Sequence, residues 1–311
     1  MKNYRFIYAL AVWGLFSLSS SCTKDSPMDN SFPGKIVTLS VTAEKESTRT
    51  YIDENSKIRW SETGERIGVF YAKESNAAAI TRYASTADDY IVKDNGAAVF
   101  SLMADSEYAG YFWAFYPGTE AAVGVPLTEI PLIIPAVQTP TETSFDPQAD
   151  LLVCQSAATA VENTVNFSFH RVVAFAKMTL KGIAPNERIS TITLTAPGTT
   201  LAGSCTANLF DGSVNYSPAD GSSAETLTLA MDGRMASGED LVWFSVMPAD
   251  LSGKKLMVEV VTETNIYRKE IDFTNKTLKF EAARVSEFII SGLTPVKRDV
   301  YKLMTRTSEL K

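Results

Sequence analysis

The stretch Lys255–Phe273, KLMVEVVTETNIYRKEIDF, decides the fold class. Two runs rich in aliphatic, β-branched and aromatic residues flank the polar pair Thr264 and Asn265. Such residues fit the pleated, half-buried surface of a sheet, and a polar break between two such runs is typical of a hairpin. The stretch therefore predicts two antiparallel strands with their turn near Thr264.

Short runs of the same kind recur along the chain, separated by turn residues. Strands are predicted in KIVTLSVTAE from Lys35, ERIGVFYAK from Glu65, GYFWAFYP from Gly110, NFSFHRVVAFAKMTLKGI from Asn166, ISTITLTAP from Ile189, ETLTLAM from Glu225, DLVWFSVMP from Asp240 and RVSEFIISGL from Arg284, with a hairpin in TYIDENSKIRW from Thr50. The proline-rich segment from Ile130 predicts an edge strand and then an ordered loop. This spacing predicts an all-β protein built of sandwiches, with one short helical piece near Ala77–Ser85.

The N-terminus has the pattern of an export signal. Lys2 and Arg5 precede thirteen apolar residues, FIYALAVWGLFSL, and small residues then lead to Cys22. A membrane-spanning helix needs roughly 20 apolar residues, whereas a run of thirteen suits a cleaved signal. LSSSC resembles the lipobox of bacterial lipoproteins, which predicts a signal over residues 1–21, lipid on Cys22 and a polar tether over residues 22–33. A plain signal with a chance cysteine is the alternative.

Composition and motifs argue against most other classes of protein. The formal net charge is −7 and basic clusters are absent, so no nucleic-acid partner is predicted. Two cysteines remain after Cys22, Cys154 and Cys205, and two buried thiols are favoured over a disulfide. The single histidine, His170, lies in a strand-like run and is interpreted as structural. Without paired cysteines, a GxSxG elbow, a Walker loop or GxGxxG, no catalytic residue, metal or cofactor is predicted.

Four stretches, in this order, resemble the fimbrillin-like proteins of Bacteroidetes, the Mfa-like and type V pilin group. They are TRTYIDENSKIRWSETGERIGVFYA from Thr48, AFYPGT from Ala114, IPAVQTPTETSFDPQADLLVC from Ile134 and FSFHRVVAFAKMTLKG from Phe167. Glu65 stands where the family usually has aspartate. The resemblance implies two transthyretin-like β-sandwich domains in tandem. The small, polar stretch Gln155–Thr164 predicts the joint between them, so we assign residues 34–158 and 159–293 to the two domains.

In polymerising members of this family an arginine-specific protease removes the first strand, and a donor strand from the next subunit fills the groove. By resemblance, KIVTLSVTAE is the removable strand and Arg49 is the candidate cleavage site. Lys45 and Arg59 are also nearby, and Arg49 has the alternative interpretation of an ordinary solvated residue.

The tail, residues 294–311, follows the predicted closing strand and is expected to have no partner within its own domain. In polymerising members the C-terminal segment is the donor. Val300, Tyr301, Leu303 and Met304 are therefore the candidate donor residues, although Lys302 interrupts one face. A frayed terminus, or a segment docked on its own domain, is the alternative.

The leading functional hypothesis is a lipid-anchored fimbrial subunit or adhesin of the outer membrane. Its expected partners are other fimbrial subunits and host or bacterial surface ligands. The main alternative is a surface lipoprotein that does not polymerise and binds carbohydrate or another ligand; a secreted hydrolase is a third. Sugar sites need exposed aromatic rings, and Trp60, Trp113 and Trp243 lie in strand-like runs that predict core positions instead.

Overall fold

A computed structural model of the chain describes residues 35–43, 51–52, 58–61, 63–76, 78–85, 90–93, 97–216 and 222–298. These residues form β-strands and two 3₁₀ turns, Glu120–Ala122 and Pro147–Ala149. The prediction of an all-β protein is confirmed. Within the described part of the chain, no helix is long and apolar enough to cross a membrane.

Thirteen strands are described up to Arg171, and the whole of the largest sheet is built from them. They are β1 (Lys35–Ala43), β2 (Tyr51–Ile52), β3 (Ile58–Arg59), β4 (Gly68–Ala72), β5 (Arg82–Ser85), β6 (Tyr90–Val92), β7 (Ala98–Ala104), β8 (Tyr111–Tyr116), β9 (Ile130–Ile134), β10 (Val137–Gln138), β11 (Leu152–Cys154), β12 (Ala158–Val161) and β13 (Thr164–Arg171). Nine of them form one sheet in the order β5-β4-β8-β11-β13-β1-β7-β6, with β12 pairing β13 and β8.

This nine-stranded sheet curls back on itself. Its two end strands, β5 and β6, are joined by residues 86–89 alone, so the step from Ser85 to Tyr90 spans at most about 18 Å. The apolar side chains inside the curl form a core in which Phe100, Phe112 and Phe167 are fully buried.

The second half of the chain forms three further sheets with the help of β9 and β10. Its strands are β14 (Ala174–Lys181), β15 (Arg188–Thr195), β16 (Ala202–Ala207), β17 (Val214–Asn215), β18 (Ser223–Ala224), β19 (Thr226–Met235), β20 (Glu239–Val246), β21 (Ala249–Asp250), β22 (Lys255–Thr262), β23 (Asn265–Asp272), β24 (Lys279–Phe280), β25 (Val285–Ile290) and β26 (Thr294–Lys297). The sheet orders are β10-β19-β15-β22-β23-β26, β20-β14-β25, and β17-β16-β18 with β9 on β16. The pairs β2-β3 and β21-β24 stand apart.

Several local predictions are confirmed. β22 and β23 pair across a turn at Glu263 and Thr264. Tyr51 faces Arg59 in the predicted early hairpin. β9 and β10 each pair with a single strand, as a proline-rich edge segment should.

Two local predictions are wrong. Residues 82–85 form strand β5, which pairs with β4, where a short helix was expected. The tail also has a partner at its start, because Thr294–Lys297 pair with Arg268–Asn265 of β23 as edge strand β26. Alternation along a short segment does not reveal whether a sheet edge is free to accept it, and this information was missing from the sequence.

The pairing of β12 and β13 does not agree with the predicted domain boundary at Gln155–Thr164. Both strands lie in the nine-stranded sheet, although residues 159–171 were assigned to the second domain. The next strand, β14, follows after Val172 and Val173 and enters a second-half sheet. The division into two transthyretin-like sandwiches stays a prediction, and the pairing favours a crossing at Val172 and Val173.

Candidate functional site

Strand β1 occupies an interior position in the nine-stranded sheet although it is the first described strand. Residues Lys35–Val41 pair antiparallel with β7, and Thr38–Ala43 pair parallel with β13. The pairing with β13 begins where the Thr38 amide donates to the carbonyl of Asn163 at 2.8 Å. Both edges of β1 are thus bonded to neighbouring strands.

The described side chains Ile36, Val37 and Thr38 of β1 alternate between the outer face and the core. Val37 is 1% exposed and belongs to the core, whereas its neighbour Ile36 is 63% exposed opposite Met103. Loss of β1 would remove an apolar side chain from the core and leave two facing strand edges unpaired. Since neighbouring strands lie 4.7–4.9 Å apart, the gap between β7 and β13 would be about 10 Å wide.

A buried polar cluster fixes the chain that follows this strand. Glu65 is buried, and its carboxylate accepts hydrogen bonds from the Ser61 amide at 3.0 Å and the Tyr116 hydroxyl at 2.5 Å. Burial, reinforced by the Glu65 charge, raises the pKa of Tyr116 well above its usual range, so this hydroxyl stays protonated and donates. Trp60 packs edge-on against the Tyr116 ring, 5.3 Å between centroids.

Two glycines allow β4 and β8 to approach closely beside this cluster. Gly68 pairs with Phe115, and a Cβ atom at Gly68 would collide with the Phe115 ring. Gly118 donates from its amide to the Arg66 carbonyl at 2.7 Å, and a Cβ there would lie 2.5 Å from the Gly68 nitrogen. The glycines of the ERIGVF and AFYPGT motifs therefore meet at one place in the sheet.

The FDPQAD loop is tied to the end of β13 by a buried ion pair. Asp150 accepts from Arg171 through both carboxylate oxygens, at 2.8 Å from Nε and 2.9 Å from Nη2. The two side chains are 0% and 2% exposed. Burial raises the pKa of the Asp150 carboxyl, and the Arg171 guanidinium opposes that rise. Such a pair is held by complementary geometry, since neither charge has water to replace its partner.

Gln138 links the same loop to the second half. Its side-chain amide donates to the Ser245 carbonyl at 2.8 Å and accepts from the Ser245 amide at 3.0 Å. Phe145 adds a ring contact with Phe175 of β14, 4.5 Å between centroids. The loop between β10 and β11 therefore contacts both halves through buried groups.

A comparison with known protein families decides the identity. The fimbrillin-like family model matches residues 48–294, which is most of the chain.

The chain belongs to the fimbrillin-like family.

Solved structures agree on the fold. The chain is similar to a proposed cell adhesion protein of Bacteroides ovatus, with 17% identity and a TM-score of 0.53, over 85% of this chain and 96% of that one. A proposed cell adhesion protein of Bacteroides uniformis gives 16% identity and a TM-score of 0.50, over 85% and 97% of the two chains. A search of curated proteins found no match. The fimbrillin-like family is of fimbrial type, which implies the cell surface.

All six predicted site residues of this fimbrillin-like chain lie outside the described residues. They are Cys22, Arg49, Val300, Tyr301, Leu303 and Met304. Their roles in lipidation, cleavage and strand donation stay predictions.

The structure does place the residues that were expected to be structural. Cys154 and Cys205 are buried and unbridged, and Trp60, Trp113 and Trp243 are buried, as predicted. His170 lies half-buried in β13 beside Gly212. Among the described residues, no group of three His, Cys, Asp or Glu side chains could hold a metal ion.

Sequence reasoning missed the buried polar groups that join the motifs. Arg171, at the end of an apolar strand, and Asp150, in a proline-containing loop, each carried a signal, because charged residues are rarely buried unless they are paired. The pairing of the two could not be derived, since they are separated by 21 residues and by strand partners that the sequence does not specify.

Proposed function

We propose that this chain is a lipid-anchored fimbrial subunit of the outer membrane that accepts a strand from a second subunit in the place of β1. The supporting observation is the position of β1, which is first in order yet bonded along both edges inside a sheet. A donor strand placed there would satisfy the edges of β7 and β13 and return an apolar side chain to the core.

Anchoring is proposed at Cys22 after removal of residues 1–21. Several acyl chains together hold a protein stably on a membrane, since each buried CH₂ contributes about 0.8 kcal/mol. One cut between β1 and β2 would then release β1 together with its anchor from the rest of the subunit.

Arg49 is the proposed cleavage site. Of the two other basic candidates, Arg59 lies in β3 with its backbone paired to Tyr51, so a protease would first have to open that hairpin. Lys45 shares the connection between β1 and β2 with Arg49, but an arginine-specific protease distinguishes the two.

A fimbrillin-like lipoprotein that does not polymerise is the second candidate function. The docking of Thr294–Lys297 on β23 favours it, because a tail held by its own sheet is less available to a neighbour. Carbohydrate binding through stacked tryptophans has less support, since Trp60, Trp113 and Trp243 are all buried.

N-terminal sequencing of protein from its native cell surface tests the proposal. We expect an acylated Cys22 in the anchored form and a new N-terminus at Thr50 in the assembled form. Arg49→Gln should abolish that cut and the high-mass, denaturant-resistant ladders, while the matched Lys45→Gln leaves both. Ladders that persist in Arg49→Gln without any cut would exclude strand exchange after cleavage at Arg49.

A further inference from the structure

The β6–β7 hairpin depends on β1 for its place in the sheet. Among the described strands, β6 pairs only with β7, and β7 pairs only with β6 and β1. If β1 is exchanged, as the proposed function requires, the hairpin loses its pairing with the other described strands for as long as the place is empty, and only the chain connections to β5 and β8 still join it to the sheet. Side chains must then hold β7 at the distance that a new strand needs.

Trp60 makes one such contact. Its ring packs edge-on against Phe100 of β7, 5.5 Å between centroids, and against Tyr116 of β8 on the other side. β8 belongs to the part of the sheet that β1 does not hold, since its partners are β4, β11 and β12. Trp60 therefore joins the hairpin to a region that remains intact without β1.

The Tyr90 hydroxyl of β6 makes a second contact. It donates to the Ser61 carbonyl at 2.9 Å and accepts from the Glu65 amide at 3.2 Å, while the ring stacks on Phe100 at 4.8 Å. Glu65 in turn holds the turn closed through the Ser61 amide and reaches β8 through the Tyr116 hydroxyl.

A third tie lies at the far end of β7, where the Asp105 amide donates to the Tyr71 hydroxyl of β4 at 3.3 Å. This contact fixes the turn after β7, whereas Trp60 and Tyr90 act at the middle of the strand, where Tyr90 pairs with Phe100.

We propose that Trp60, Ser61 and Glu65, with Tyr90 as their contact on β6, form a brace that positions the β6–β7 hairpin and keeps the acceptor groove open while the β1 place is empty. The inference rests on the proposed strand exchange. The brace follows the connection between β1 and β2, so it stays with the receiving subunit when that connection is cut.

The test is a double-mutant cycle in the full-length chain, read by hydrogen exchange of the β7 amides. Val37→Ala weakens the hold of β1 on the core, and Tyr90→Phe removes the hydroxyl from the brace but keeps the ring. Tyr216→Phe is the matched control, because its hydroxyl donates to the Val172 carbonyl at 2.6 Å outside this cluster. A brace predicts that Val37→Ala and Tyr90→Phe together accelerate exchange about tenfold beyond the product of their single effects.

A merely structural Tyr90 would change exchange by the same factor with and without Val37→Ala, and that outcome would overturn the proposal. In the control pair, Val37→Ala with Tyr216→Phe, the acceleration of exchange should equal the product of the two single effects. Val37→Thr, which keeps the shape of the side chain, provides the second cycle if the first pair does not fold. The cycle needs no second subunit. Coupling between the two substitutions, together with an absence of high-mass ladders, would support the brace and contradict strand exchange. Ladders together with an absence of coupling would support strand exchange and contradict the brace.

Discussion

Strands β1 and β14 occupy equivalent positions in the two halves of the molecule. β1 lies between antiparallel β7 and parallel β13, and β14 lies between antiparallel β20 and parallel β25. Each is thus an interior strand with one partner in each direction. The backbone surroundings of the two strands are alike, so the pairing pattern does not decide whether a strand can be exchanged.

The difference lies in how each strand is attached. β14 follows β13 after only Val172 and Val173, and the side chains around that junction are clamped by Asp150, Arg171 and Phe145. β1 is connected to the other described strands through residues 44–50 alone. Among the described strands, β1 alone combines an interior place with a single link to a later strand, which is why the proposed exchange is assigned to it.

The largest expected effect comes from breaking the clamp at β14. Asp150→Ala leaves the Arg171 charge buried without its partner, which should lower the free energy of unfolding by about 3–5 kcal/mol. Urea denaturation measures the loss. Lys255→Ala, which removes an exposed ion pair with Glu270, is the control and should leave the free energy of unfolding almost unchanged. Equal losses would mean that the clamp does not hold β14.

Each half of the molecule contains one buried thiol, Cys154 in β11 and Cys205 in β16, and the loss of stability at alkaline pH compares the two. Burial raises the pKa of each thiol from 9.0 to about 12. The unfolded chain loses these protons first, so their stabilisation is complete below pH 9 and is lost as pH rises toward 12. The loss is at most about 4 kcal/mol per thiol.

Denaturation at a series of pH values measures this slope. Cys154→Ala and Cys205→Ala should each reduce the slope of unfolding free energy against pH by the contribution of the one thiol that is removed. A slope that is unchanged in both variants would contradict the assignment to these two thiols.

Core truncation in the two strands should separate local from global opening. Leu180→Ala in β14 should cost about 3 kcal/mol of global stability, and Val37→Ala in β1 about 2 kcal/mol. In hydrogen exchange, Val37→Ala should accelerate the amides of β1 more than those of β14. Equal acceleration of both strands would show that β1 opens only with the whole fold, which would weaken the contrast.

The smallest effect concerns the tail. Removal of residues 299–311 should leave the stability of the monomer unchanged and remove the ladders if this segment is the donor. Removal of residues 294–311 also uncovers Asn265–Arg268 on the edge of β23, with an expected cost of about 1 kcal/mol. Ladders that survive both deletions would exclude the tail as donor.

Sequence patterns predicted the strands better than their partners. The hairpin β22–β23, the edge position of β9 and the buried tryptophans followed from alternation, proline chemistry and residue type. The partners of β13 and β26, and the contact between Asp150 and Arg171, depend on which strands meet across long stretches of chain. The error at Ala77–Ser85 has the same origin, since a four-residue segment takes its structure from the strand beside it.

Gln138 has a consequence for growth of the molecule by addition of strands. A primary amide has the same kinds of donor and acceptor as a peptide group. The Gln138 side chain therefore bonds the outer edge of β20 in the way that one residue of a neighbouring strand would. The Arg234 guanidinium covers a second point on that edge, the Leu241 carbonyl, at 2.8 Å. Exposed edges invite indiscriminate pairing between chains, and side chains that occupy their polar groups suppress it. If β1 is exchanged as proposed, the subunit accepts a strand at that place alone, and Gln138 and Arg234 keep further strands from pairing at their positions on β20.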